Sequence, residues 1–187
     1  MITETLTKTK WVADKAHTEI SFSVKYLMIT WVRGVFRDVD ITAYTDGDDF
    51  LTSSIEVRIN AGSIYTGDEK RDSHLKSPDF LDVENYRQIV FISSTIQKTR
   101  DENRFVLNGI LSVRYVDAPV KLNVDYDGTV RDPWGVEKAG FRITGEIRRS
   151  AWGLTWNTVL ESGGVLVGDE VKIDCGLQLV KPDSNIE

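Results

Sequence analysis

Apolar and polar residues alternate at every second position through much of this chain, and no other feature narrows the fold as far. Successive side chains of a strand point to opposite faces, so strict period two puts one face in a core and the other in water. In "HTEISFSVKY", Ile20, Phe22, Val24 and Tyr26 share a face opposite Glu19, Ser21, Ser23 and Lys25. "SIEVRINA" sets Ile55, Val57 and Ile59 against Glu56, Arg58 and Asn60. "RFVLNGILSVRY" aligns Phe105, Leu107, Leu111, Val113 and Tyr115, with Gly109 marking a bend or bulge. "VKLNVDY" and "EVKIDCGLQLV" alternate as cleanly, and "RQIVFISSTI" and "GFRITGEIRR" less so. "ITWVRGVFRDVDITAY" needs a bulge near Gly34 to keep its pattern.

Turn-forming stretches separate these runs: "TDGDD" at 45–49, "TRDEN" at 99–103, "YDGT" at 126–129 and "RDPWG" at 131–135. The reading is all-β, with eight strands joined mostly by hairpin-like turns. A two-sheet sandwich fits the same count. Long strands, glycines at bend positions and a single long excursion favour an antiparallel barrel. That excursion is "DEKRDSHLKSPDFLDVENY", a short helical insertion at 68–86. Asp68 can cap a first turn through Leu75, and Ser77 before Pro78 reads as a second helix start. Leu75, Phe80, Leu81, Val83 and Tyr86 supply apolar anchors under a charged exterior, suited to covering an open end or edge.

Composition then removes several classes of function. With 187 residues and 41% apolar content, the chain suits one domain whose core needs no staples. Net charge is −6 and the basic residues are scattered, so no face can gather phosphates and no nucleic-acid partner is expected. Cys175 is the sole cysteine and reads as a small buried hydrophobe. No run approaches the ~20 apolar residues of a membrane-spanning helix. "MITETLTKTKW" lacks the apolar run of a signal peptide, so a cytoplasmic location is expected, or a periplasmic one where a leader has been removed.

Signals for chemistry are thin. The two histidines, His17 and His74, have Asp14, Asp72 and Asp79 as neighbours in sequence. Nothing in their spacing specifies a metal site, and hydrogen-bonded loop histidines are the simpler reading. No cofactor, metal or catalytic residue is expected. There is no G-x-S-x-G elbow, and "ESGGVLVGDE" lacks the lysine of a phosphate loop. Its glycines suit a hairpin that requires positive φ. Trp31, Trp134, Trp152 and Trp156 read mostly as core packing and barrel-end plugs, with some lining a pocket. The interior of an eight-stranded barrel is either filled by side chains or just wide enough for one small ligand. Periodicity leaves both open.

Four segments together resemble the YceI-like family, lipocalin-like barrels associated with polyisoprenoid binding. They are "WVADKAHTEISFSVKY", "VRGVF" with "RDSHLKSPDFLDVENY", "GFRITGEIRRSAWGLTWN", and "ESGGVLVGDEVKI". The resemblance implies an eight-stranded antiparallel lipocalin-like barrel with core about 11–181, often dimeric, around an elongated apolar tunnel. It further implies storage, carriage or shielding of an isoprenoid or other elongated apolar small molecule, with no bond made or broken. The inward positions expected to meet that ligand are Phe22, Val24, Tyr26, Val57, Ile59, Phe91, Leu111, Val113, Phe141 and Ile143. Any bulge would reverse the parity of its strand. Arg71, Asp72 and His74 would hold the insertion by hydrogen bonds, while Leu75, Phe80 and Leu81 pack it down or finish the tunnel wall. The chain departs from the family pattern at Tyr26, Arg87, Ala118 and Ala151, where histidine, proline, lysine and aspartate are usual. Two rival functions stay in play: a small-molecule enzyme using His17 or His74, and a filled barrel serving as a stress or interaction module.

Overall fold

In the computed structural model, which describes residues 8–182, every named strand joins one antiparallel sheet. The strands are β1 (Lys8–Ala13), β2 (Ile20–Tyr26), β3 (Thr30–Phe36), β4 (Val39–Asp46), β5 (Asp49–Asn60) and β6 (Ile64–Tyr65). After helix α1 (Glu69–Lys76) come β7 (Gln88–Lys98), β8 (Arg104–Val113), β9 (Val116–Arg131), β10 (Glu137–Arg148) and β11 (Val167–Val180). The order β1-β4-β5-β7-β8-β9-β10-β11, with β11 returning to β1, closes eight strands into a barrel. The remaining three extend its wall at one end: β2 pairs with the first half of β11, β3 with β2, and β6 with β3.

Polar residues that cap the backbone account for the extra strands. Asp14 ends β1, its carboxylate accepting the Ala16 N–H at 3.1 Å. Asp38 and Asn60 break the next two runs side by side. The Asn60 N–H donates to the Asp38 carbonyl at 3.0 Å, and Asn60 Oδ1 accepts from the Gly62 N–H at 3.0 Å. Each break lets one long sequence run bend and continue as a second strand.

Several local expectations are corrected. No bulge occurs at Gly34, because β2 and β3 stay in register from Ile20↔Phe36 to Tyr26↔Thr30. The parity change falls at Arg37–Asp38 instead, and Gly34 makes room for Phe22, whose ring would lie 2.5 Å from a Cβ there. The irregularity near Gly109 belongs to the neighbouring strand, between Ser93 and Thr95 of β7. "YDGT" is not a turn: β9 runs on through Gly128 at φ 109°, and the chain reverses at "RDPWG". Tyr115 occupies the tight β8–β9 turn with φ 60° and is exposed, so it leaves the inward face of β8. The second helix does not form. Ser77 closes α1 through its N–H to the His74 carbonyl at 3.1 Å, and 77–87 continues as turns passing through Asp82 at φ 48°.

One end of the barrel is plugged by aromatic side chains. Trp11 is fully buried, with its indole N–H donating to Thr45 Oγ1 at 3.1 Å. Phe50 lies 4.9 Å from the Trp11 ring and 5.0 Å from Phe141, which in turn meets Tyr126 at 5.3 Å. Such ring pairs add to the burial of their area.

Glycine positions give this architecture a direct check. A Cβ on Gly109 would run into the Ile92 carbonyl oxygen and the Phe91 ring. Gly109→Ala is expected to lower stability by about 1–3 kcal/mol in urea unfolding, because the wall must shift to admit the methyl group. Gly176→Ala, where nothing lies within 4 Å, should stay within about 0.5 kcal/mol of the parent.

Candidate functional site

The inward faces of the strands do not fill the barrel. They surround a cavity of about 730 Å³ that begins at the plug residues Phe50 and Phe141 and reaches α1 at the opposite end. All ten inward positions named from the sequence line it: Phe22, Val24 and Tyr26 on β2, Val57 and Ile59 on β5, Phe91 on β7, Leu111 and Val113 on β8, and Phe141 and Ile143 on β10. On β7 the bulge between Ser93 and Thr95 reverses the parity, so Phe91 before it and Ile96 after it both face the lumen, and the named position Phe91 lies on the side where the sequence pattern holds. Val120, Leu122 and Val124 of β9 and Val171, Ile173 and Leu177 of β11 complete the wall. Their alternation in "VKLNVDY" and "EVKIDCGLQLV" carried that signal. Cys175 joins them as a neutral group, since burial, the largest influence on it, pushes its thiol up to about 11.

The insertion forms wall as well as lid. It occupies the gap between β6 and the β8–β9 turn, where Arg114 Nη1 donates to the Phe80 carbonyl at 2.9 Å. Thr66, just after β6, is the node that fixes α1. Its N–H and hydroxyl donate to Asp72 Oδ1 at 2.9 and 2.5 Å. Arg71 donates from Nε to Thr66 Oγ1 at 2.7 Å and from Nη2 to the Thr66 carbonyl at 2.9 Å. Asp68 caps α1 through the Arg71 N–H at 2.9 Å. Arg71, His74, Leu75, Phe80 and Leu81 all reach the cavity, whereas Asp72 stands behind the wall. His74 pairs through Nε2 with Asp79 at 2.8 Å and sets its ring edge-on to Trp156 at 4.5 Å.

The two histidines are not brought together. His17 sits on the plugged side, exposed, 2.9 Å from Asp14, which Lys138 also approaches at 3.3 Å. Burial raises the Asp14 carboxyl, but hydrogen bonds from His17, the Ala16 N–H and Lys138 outweigh it and hold the group below the usual carboxylate range. Among the described residues, no three of His, Cys, Asp and Glu converge as metal ligands.

The residue the sequence did not point to is Arg149. It is buried on the cavity wall with no carboxylate on its guanidinium. It donates instead to four carbonyls: Gly168 at 2.9 Å, Leu154 at 2.6 Å, Trp156 at 3.0 Å and Val167 at 3.2 Å. Burial lowers its pKa, offset in part by the charge of Asp169. Asn157 adds Nδ2–H to the Val167 carbonyl at 2.7 Å and accepts the Val167 N–H at 3.1 Å. Together these bonds strap 153–166 against β11 and place Trp156 over His74. With Ser53 set apart, and Lys25 turning its ammonium to the outer face beside Trp31, the charged and hydroxyl-bearing lining groups gather at this end: Tyr26, Thr66, Asp68, Lys70, Arg71, His74 and Arg149. Asp68, Lys70 and Tyr26 are exposed, so the cavity opens here.

Comparison with known proteins gives a consistent picture. Residues 11–179 match the family model described as the YceI-like domain. The UPF0312 protein of Staphylococcus aureus strain USA300 is 31% identical over 171 residues, covering 91% of this chain and 96% of its own. The Campylobacter jejuni YceI protein aligns with TM-score 0.70 at 27% identity, covering 88% of this chain and 94% of that one. Burkholderia cenocepacia BcnA shares the fold with TM-score 0.75 at 23% identity, covering 89% and 98%. So does a polyisoprenoid binding domain from Saccharophagus degradans implicated in plant cell wall breakdown, with TM-score 0.63 at 13% identity, covering 92% and 98%.

The role of Arg149 can be measured apart from any ligand. Arg149→Met keeps much of the side-chain length but removes all four carbonyl bonds, and is expected to lower stability by about 2–4 kcal/mol. Hydrogen exchange should show amides of 154–168 opening faster, with those of β8 and β9 protected as before.

Proposed function

The chain belongs to the YceI-like family, and from that premise we propose that its barrel holds one elongated apolar molecule of the isoprenoid or lipid-like class. The observation that carries this reading is the continuous apolar cavity of about 730 Å³, closed by aromatics at one end and open beside α1 at the other. Pockets of roughly 300–1,000 Å³ are typical of small-molecule sites. Each methylene moved from water into such a lumen contributes roughly 0.8 kcal/mol, so a long hydrocarbon needs few polar contacts. Ordering the flexible chain opposes part of that gain. The polar groups at the open end favour a guest that threads its hydrocarbon inward and leaves any polar head near Arg71 and Lys70. A domain of this fold from Saccharophagus degradans is described as polyisoprenoid binding, and the proposal extends that ligand class to this chain.

The role is storage or carriage, with no bond made or broken. Support comes from the histidines: His17 faces away from the cavity, and His74 is engaged by Asp79 and by Trp156. The test is direct. Solvent extraction of the purified protein followed by mass spectrometry is expected to release an apolar guest. Uptake of a fluorescent prenyl probe should fall roughly tenfold, about 1.4 kcal/mol, in Leu111→Trp and in Val113→Trp, whose indoles occupy the lumen. Far-ultraviolet circular dichroism should match the parent in both. Unchanged uptake by both folded variants would overturn the assignment.

A further inference from the structure

The hairpin between β2 and β3 thrusts an apolar tip into solvent at the rim of the cavity. Met28 is 48% exposed and Ile29 79%. The strands that carry this tip supply Val24, Tyr26 and Val32 to the cavity wall. Folding alone gives no reason for these residues. Leu27 and Met28 sit in the left-handed region at φ 52° and 59°, where glycine and asparagine are favoured at a tight hairpin turn. Bulky apolar residues there add backbone strain, and Met28 still leaves about half of its surface in water.

The surroundings have the composition of a lipid–water boundary. Trp31 lies on the outer face next to the tip, with the ammonium groups of Lys25 and Lys172 at 5.6 and 4.8 Å from its ring. Amphipathic aromatics and lysines with long stems settle at the headgroup level of membranes. The Leu27 N–H donates to the Leu166 carbonyl at 2.8 Å, so the tip and the 153–166 segment make one rim. That segment adds Val159, which is also almost fully exposed.

We propose that this rim docks on a lipid bilayer, with Met28 and Ile29 inserted among the lipids and Trp31 at the headgroups. The function of docking rests on the carrier reading, since it lets an oily guest pass between membrane and lumen without crossing water. The docking itself does not depend on it. A second copy of the chain fits this surface poorly. Stable protein interfaces bury about 800 Å² on each partner, far more than a convex tip of a few side chains presents. A bilayer accepts a convex apolar wedge. With a net charge of −6, attraction to anionic lipid is not the driving term, so binding is expected to be insensitive to salt.

The experiment uses the full chain and vesicles of zwitterionic phosphatidylcholine. The parent should float with vesicles at low and high salt, with a blue shift in tryptophan emission. Leu27→Asn combined with Met28→Gly supplies the residues the turn prefers, so it should hold or raise Tm while partitioning about tenfold less. Ile29→Ser should lower partitioning in the same direction. Transfer of a fluorescent prenyl probe out of vesicles should slow in step with the loss of binding. Uptake of that probe from a solvent dispersion should be unchanged. Failure of the parent to float, or equal flotation of the variants, would overturn the proposal. So would tip-dependent dimerisation in sedimentation without vesicle binding. Tip-dependent flotation by a protein that takes up no probe from either source would uphold docking and remove the carrier reading.

Discussion

A sheet can enclose empty space only if its last strand pairs with its first, and here that closure depends on β11. The contact with β1 is short, Val12↔Val180 and Ala13↔Leu179. Above it the same edge of β11 passes to β2. One strand of 14 residues therefore serves two partners in succession. Closure pairs most N–H and C=O groups along the seam. Where strand pairing lapses between β2 and β1, side chains take over, the Ser21 N–H donating to Cys175 Sγ at 3.3 Å. The seam is reinforced where it is thinnest. Thr18 Oγ1 exchanges hydrogen bonds with the Gln178 backbone at 3.2 Å, and Lys138 approaches both Asp14 and Asp132.

A closed wall need not be hollow, and three inward glycines help to explain why this one is. A Cβ at Gly34, Gly109 or Gly145 would meet Phe22, Phe91 or Leu122 respectively. At each position a large side chain of a neighbouring strand lies along the wall in the space the glycine leaves, instead of crossing the lumen. The remaining rings collect at the plug around Phe50. Unfilled apolar volume forfeits dispersion contacts, so a lumen kept open this way is a sacrifice of stability that a guest would restore.

Much of the wall was legible because strands have only two faces. Once Phe22, Val57 or Leu111 is assigned inward, its neighbours at even spacing follow, and the inward positions chosen on that logic line the cavity. The breaks at Asp14, Asp38 and Asn60 were not visible, because a capping polar residue looks like one more outward position in an alternating run. Gly34 and Gly109 misled for a related reason. A glycine that admits a neighbour's ring and one that forms a bulge leave the same mark in sequence. Ser77 and Pro78 suit a helix start, but α1 claims Ser77 as its terminus and Asp82 adopts positive φ. Arg149 was out of reach altogether. Its partners Val167 and Gly168 lie 18 and 19 residues away, and only the return of β11 brings them alongside.

The two ends of the barrel are held by different physics, and the difference follows from the cavity. At the plugged end the interior is held by apolar packing, with Trp11, Phe50 and Phe141 filling the space and charged pairs such as Lys138 with Asp14 confined to its outside. At the open end, segments without full sheet partners must be fixed, yet packing them with apolar bulk would stop the lumen. Guanidinium and carboxylate groups meet both demands. Arg149 binds four carbonyls, Arg71 and Asp72 converge on Thr66, and Arg114 holds the Phe80 carbonyl. Each locks backbone through directional bonds while its own side chain lies within the wall. Charged hydrogen bonds to backbone are stronger than neutral ones, so a few of them suffice where a sheet ladder is missing. The polar character of the open end is thus first a structural answer to keeping a mouth open, and any part it plays toward a guest is built on groups already needed to hold the rim.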